Sequence, residues 1–116
     1  AAAAREMKLK TRTDLVSPSI AEFLDLDDAA FRARFSGSPV KRIGRGKFLR
    51  NVLIAAGNSN DAGLVAQVIP LLIDDDPLVR GAAVWALGRL HGKPAALRHI
   101  SETETDETVL AEIEGL

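Results

Sequence analysis

Residues 74–90 read DDDPLVRGAAVWALGRL and residues 48–58 read FLRNVLIAAGN. Set 30 residues apart, the second stretch lies over LVRGAAVWALG (78–88), with Leu49 on Val79, Arg50 on Arg80, Ile54 on Val84 and Ala56 on Ala86. Another step of the same length brings Val79 onto Val109 and Ala83 onto Ile113. Within 77–90, Val79, Ala82, Ala83, Ala86, Leu87 and Leu90 recur at three- and four-residue spacing, which puts them on one face of an α-helix. Asp76-Pro77 ahead of them is a start signal, an N-cap acid followed by a Pro whose missing N–H is not needed at the first helical position.

Between these stretches lie LVAQVIP (64–70) and AALRHI (95–100), themselves about 30 residues apart. A two-helix unit of about 30 residues that recurs is the pattern of a helical solenoid, because a single pair cannot cover its apolar face and has to stack on the next. The expected fold is all-α, a short right-handed stack of antiparallel helix pairs.

The remaining elements follow outward. Ser17-Pro18 starts a short helix with Ile20, Phe23 and Leu24 inward. Asp27 caps the next, with Leu26 and Phe31 at staple spacing, and this helix ends near Gly37. A helix from about 43–46 to Ala56 buries Phe48, Leu49, Val52, Leu53 and Ala56, and Gly57-Asn58 reads as its stop. A helix over 62–73 turns Leu64, Val65, Val68, Leu71 and Leu72 inward, and Pro70 should kink it or shorten its last turn. After Gly92 and Pro94 come a helix near 94–100 and a last one from Asp106 with Val109, Leu110 and Ile113 buried. Residues 1–16 read as an irregular arm leading from an upstream domain, and 17–116 as the helical repeat domain.

Composition narrows the chemistry. With 116 residues, one modest core is available. The absence of Cys excludes, within this chain, a disulfide framework, a thiolate nucleophile and a cysteine-held metal or iron–sulfur cluster. His91 and His99 sit near helix ends without metal-binding partners in sequence. No apolar run reaches the roughly 18 residues of a membrane span, and no signal peptide is present, so a cytoplasmic location is expected. The chain opens on Ala1–Ala4 without an initiator Met, a start expected of either an imposed boundary or the edge of a disordered upstream segment.

A net charge of −1 hides a strong polarisation. Residues 29–60 hold no Asp or Glu, whereas residues 61–116 carry ten acids against four bases. In SPVKRIGRGKFLRN (38–51), Lys41, Arg42, Arg45, Lys47 and Arg50 crowd into ten residues. Cations in a first helical turn oppose the helix dipole, so the pattern calls for a compensating anion. A phosphate suits, because helix N-termini offer free N–H groups, Arg offers a bidentate fork, and Gly44 and Gly46 let a backbone approach. The expected site is a phosphate-backbone grip on nucleic acid made by Lys41, Arg42, Arg45, Lys47 and Arg50, with Asn51 as a weaker member; the other reading is a solvated cationic face, or ion pairs to Asp27, Asp28 and Asp61 across the fold. Phe31, Phe35 and Phe48 fit core positions, which argues against reading of bases. Arg80 is expected to tie neighbouring units through a carboxylate or carbonyl, Trp85 to pack on a helix flank, and Glu102, Glu104, Asp106 and Glu107 to form an exposed acidic turn. No catalytic residue and no metal site is assigned.

The landmarks LDDAAFRARFSGSPVKRIGRGKFLRNVLIAAGNS (26–59) and DDDPLVRGAAVWALGRL (74–90) give a resemblance to the C-terminal, HEAT-like repeat region of epoxyqueuosine reductase, a cobalamin and iron–sulfur tRNA-modifying enzyme family. The G-S-P-V-K-R-I-G-R core, the F-L-R-N after it and A-A-G-N-S are the most specific parts, while D-P-L-V-R-G-A-A-V-W-A-L is shared with HEAT-like repeats generally. The resemblance implies a parent oxidoreductase of queuosine biosynthesis that uses cobalamin and two 4Fe-4S clusters, none of whose ligands lie here. It implies partners: the anticodon stem-loop of a tRNA, and catalytic and ferredoxin-like domains upstream. It assigns tRNA contact to the same Lys41, Arg42, Arg45, Lys47, Arg50 and Asn51. Many relatives carry an acid and an Arg after the second G-R where this chain has Gly46 and Lys47, so position 47 keeps a base but lacks the Arg fork. The fragment itself is expected to be non-catalytic. Two readings of other classes stand beside this one: a helical-repeat protein–protein adaptor, and a HEAT-like alkylpurine glycosylase, which lacks an aromatic-lined, carboxylate-bearing pocket in the sequence.

Overall fold

The structure, a computed structural model, describes residues 17–90 and 95–116. The arm expected over 1–16, His91 and the Gly92–Pro94 break lie outside the described residues. Among those described there are eight α-helices and no strand. They are α1 (Ser17–Leu24), α2 (Asp28–Arg34), α3 (Val40–Ile43), α4 (Arg45–Asn58), α5 (Val65–Val68), α6 (Pro77–Leu90), α7 (Ala95–Thr103) and α8 (Glu107–Glu114). Helix α5 is flanked by 3₁₀ turns, Ala62–Leu64 and Ile69–Ile73.

Helices α4, α6 and α8 lie side by side as one layer, and the 62–73 segment and α7 form the other. The 30-residue register of the first layer holds in burial at Leu49, Val79 and Val109 and at Ala56 and Ala86, but not at Ile54, which is exposed where Val84 is buried. The second layer keeps the order but not the register. Leu64, Val68, Leu71 and Leu72 are buried in the first unit, whereas Leu97 and Ile100 serve the second. Over Ile69–Ile73, where Pro70 has no N–H to continue the α-ladder, the chain tightens to three residues per turn.

Aromatic packing joins α1 and α2 to α4. Phe23 of α1, Phe31 of α2, Phe35 and Phe48 of α4 are all the phenylalanines of the chain, and their centroids lie 5.0–6.3 Å apart at tilted or edge-on angles. Phe31, Phe35 and Phe48 are thus core, as expected. Asp27 caps α2 by accepting from the Ala30 N–H at 2.7 Å, and Asp106 caps α8 by accepting from Thr108 and Val109.

Three local expectations change. A short helix, α3, which the periodicity does not signal, precedes Gly44, whose φ of 85° lets the chain turn sharply into α4. Gly57 does not stop α4. It lies inside the helix, where a Cβ would come within 2.5 Å of the Trp85 ring, so its missing side chain is what lets α6 close on α4. The left-handed residue after that helix is Asn60, with φ 59°. Glu104 is not part of an exposed turn; its side chain is only 3% exposed.

Candidate nucleic-acid interface

The basic segment divides in two once folded. Lys41 and Arg42 stand exposed on α3 and border a shallow hollow of about 510 Å³ with Gly37, Ser38 and Pro39. Lys47, Arg50 and Asn51 stand exposed on α4. Helical geometry puts 47, 50, 51, 54 and 58 on one stripe, which faces away from the buried Phe48, Leu49, Val52 and Leu53. Among the described residues, Lys41, Arg42, Lys47 and Arg50 have neither an ion pair nor a hydrogen bond from their side chains.

Arg45 is engaged within the fold. Its Nη2 and Nη1 donate to Asp74 Oδ1 and Oδ2 at 2.8 and 3.2 Å, and its Nε donates to the Leu26 carbonyl at 2.9 Å. The first turn of α4 also receives Asp76, whose carboxylate occupies the space where a Cβ on Gly46 would stand. The anion expected at this helix start is therefore supplied by two acids of the chain, and Gly46 makes room for one of them rather than for a ligand.

Arg80 makes the corresponding clasp one unit on. Its Nε and Nη2 donate to Glu104 Oε1 and Oε2 at 2.8 and 3.0 Å, and its Nη1 donates to the carbonyls of Asp74 and Asp75 at 2.9 and 3.1 Å. The tie through carbonyls and a carboxylate is the expected one, and the carboxylate is that of Glu104. Each clasp joins the start of a unit's first helix to the end of its second, so the two helices run antiparallel. Each acid also accepts the N–H of the next N-cap residue, Asp76 to Asp74 at 3.1 Å and Asp106 to Glu104 at 3.0 Å.

The charges respond accordingly. Burial pushes the Asp74 carboxyl up, but the Arg45 hydrogen bonds, the Asp76 N–H and the positive charges of Arg45 and Arg80 outweigh it and hold the group below its ordinary value. Glu104 is lowered chiefly by its hydrogen bonds to Arg80, against the opposing effect of burial. The sequence carries no specific signal of the clasp: an acid stands two residues before an N-cap Asp at 74/76 and 104/106, but also at 25/27, where Asp25 has no ion pair among the described residues.

The stripe of α4 continues into a hollow of about 420 Å³, which spans α4, α6 and α8 and is lined by Arg50, Ile54, Leu78, Trp85 and Glu112 among others. Trp85 packs on Gly57, as a flank residue should, and also forms part of the wall, with the Arg89 guanidinium 5.8 Å from its ring. No single stretch of sequence signals this concavity, because its lining comes from three helices. His99 is exposed on α7, and among the described residues no three His, Asp or Glu side chains gather to hold a metal ion.

Comparison with known proteins adds three observations. The epoxyqueuosine reductase of Listeria monocytogenes is 30% identical over 106 residues, covering 89% of this chain and 28% of that protein. That of Xanthomonas campestris is 33% identical over 88 residues, 75% of this chain and 24% of that protein. That of Bacillus cereus is 29% identical over 103 residues, 86% and 27%. The chain thus spans about a quarter of the length of these three relatives, and the similarity falls on their C-terminal part. No solved structure matches it. The family model for HEAT repeats matches residues 45–116, from the start of α4 to the chain's last residue. With its 30-residue register, its layered helices and this match, the chain belongs to the HEAT-repeat family.

Proposed function

We propose that this chain is the RNA-holding helical-repeat domain of an epoxyqueuosine reductase, non-catalytic by itself, and that it serves queuosine biosynthesis by binding the anticodon stem-loop of a tRNA. The observation that supports the reading is the set of unpaired cations exposed on α3 and α4. Lys41, Arg42, Lys47 and Arg50, with Asn51 beside them, stand exposed and unpaired in a fold that has a carboxylate for Arg45 and another for Arg80. Exposed, uncompensated Lys and Arg suit a phosphate backbone: binding releases condensed counterions and needs no base contact. Arg45 acts behind this face, fixing the start of α4 and hence the direction of Lys47 and Arg50. In the parent enzyme, the cobalamin and the two 4Fe-4S clusters fall to upstream catalytic and ferredoxin-like domains, and this chain has no thiolate to offer a cluster. A cytoplasmic location fits a tRNA-modifying enzyme, and among the described residues no helix is long and apolar enough to cross a membrane.

The test is titration of the chain against a labelled anticodon stem-loop at several salt concentrations. Affinity should fall linearly with salt on logarithmic axes, by about 0.7–0.9 units of slope for each phosphate contacted. The quadruple variant Lys41→Glu, Arg42→Glu, Lys47→Glu, Arg50→Glu should lose binding and keep its helical circular dichroism, since all four positions are exposed. Retained RNA affinity in that variant would reject the site. No RNA binding by the native chain would leave a helical-repeat protein adaptor as the better reading.

A further inference from the structure

The phosphate-grip stripe of α4 does not end at Asn51. One turn further it carries Ile54 and then Asn58, and both belong to the 420 Å³ hollow, a volume in the range of small-molecule sites. Three large apolar side chains remain exposed among the described residues, and two of them, Ile54 at 38% and Leu78 at 41%, line this one hollow from opposite helices. Its wall includes the indole of Trp85. Its charges are divided: Arg50 on the α4 side, Glu112 on the α8 side.

We propose that this hollow takes the base of an unpaired nucleotide whose phosphate is held by Arg50 and Lys47; the inference rests on the RNA-binding reading above. An unpaired nucleotide is a flat, largely apolar ring with an N–H edge, tied through its sugar to an anion. The ring fits among Ile54, Leu78 and Trp85, since base–aromatic contact tolerates any base. The anion lies toward α4, where the cations are, and the N–H edge points toward the Glu112 carboxylate, which would repel a phosphate. This polarity favours a nucleotide over an apolar peptide side chain, for which neither the cation row nor the carboxylate has a use.

Trp85 is the chain's single Trp, so its emission reports on the hollow directly. The full chain is titrated with a single-stranded RNA hexanucleotide and with a blunt RNA duplex of the same sequence, following Trp85 emission and the anisotropy of a label on the RNA. The single strand should quench Trp85, and the duplex should bind without doing so. The double variant Ile54→Ser, Leu78→Ser should weaken the single strand roughly tenfold and leave the duplex unchanged. Both positions are exposed, and circular dichroism checks that the stack is kept. Equal binding of both RNAs with Trp85 emission unmoved overturns the hollow and leaves the backbone grip standing. Failure of both RNAs to bind overturns the hollow and the RNA-binding reading together. Quenching by an acidic, Leu-rich peptide at lower concentration than by the hexanucleotide assigns the hollow to a protein segment and also overturns the proposal.

Discussion

Arg50 and Arg80 stand one repeat apart, each on the residue after a fully buried position, yet one is exposed and unpaired while the other makes four hydrogen bonds. The residue that matches Arg80 in role is Arg45, which also grips a carbonyl before its unit and a carboxylate at its unit's end. The difference lies in where the helices start. Helix α4 begins at Arg45 and α6 at Pro77, so relative to the common buried register α4 starts two residues earlier and brings a different Arg to the carboxylate. Sequence equivalence in the repeat carries the buried positions Leu49, Val79 and Val109 but not the partner of an Arg: Arg45, in the earlier start of α4, takes the carboxylate, and Arg50 is left without one.

The largest expected effect comes from breaking the second clasp. Glu104→Ala leaves Arg80 without its carboxylate partner at a mostly buried position and should destabilise the chain by about 3 kcal/mol in urea unfolding. Asp74→Ala should cost less, about 2 kcal/mol, because the Asp74 side chain is the less buried of the two acids, 11% exposed against 3% for Glu104. Equal losses below about 0.5 kcal/mol would show both clasps to be ornamental.

Acid should act on the same two groups. Both carboxyls are held below their ordinary values, 4.5 for Glu104 and 3.8 for Asp74, so each favours the folded state while ionised. That contribution is complete above the ordinary values. It is lost as pH falls below them toward the folded-state values, because the unfolded chain takes up protons first. Thermal unfolding measured between neutral pH and about pH 3 should show this decline, and Glu104→Gln should make it shallower. A slope unaltered by Glu104→Gln would remove Glu104 from the account.

The smallest effect on folding belongs to the other half of the comparison. Arg50→Ala should shift stability by no more than about 0.5 kcal/mol, since an exposed side chain without partners is removed. A loss as large as that of Glu104→Ala would mean that Arg50, too, is part of the framework.

How far the sequence can be read depends on how local the cause is. Caps such as Asp27 and Asp106, the Pro70 break and the buried stripe of α4 are legible because each is set by neighbours within a turn or two. So is the core role of Phe31, Phe35 and Phe48. The fate of the cations is not: whether Arg45 meets Asp74 depends on the packing of residues 29 apart, and charge counting treats Arg45 and Arg50 alike. Glu104 looks like its acidic neighbours for the same reason. Gly57 beside Asn58 carries a stop signal, whereas its role is to accept Trp85 from another helix. The hollow has no local signature, since α4, α6 and α8 each contribute a part of it.

The clasp has a consequence for how such a protein can change its length. Arg80 and Glu104 lie within the same 30-residue unit, and Glu104 also accepts the N–H of Asp106, the N-cap of the helix that follows. Each unit therefore carries its own lock and the seat for its successor. A duplicated segment inserted between Glu104 and Thr105 would arrive with both, so whole modules can be gained or lost by recombination without redesign of the joints. The basic row on α3 and α4, with no counterpart in the later units, would stay at one end of a longer arm.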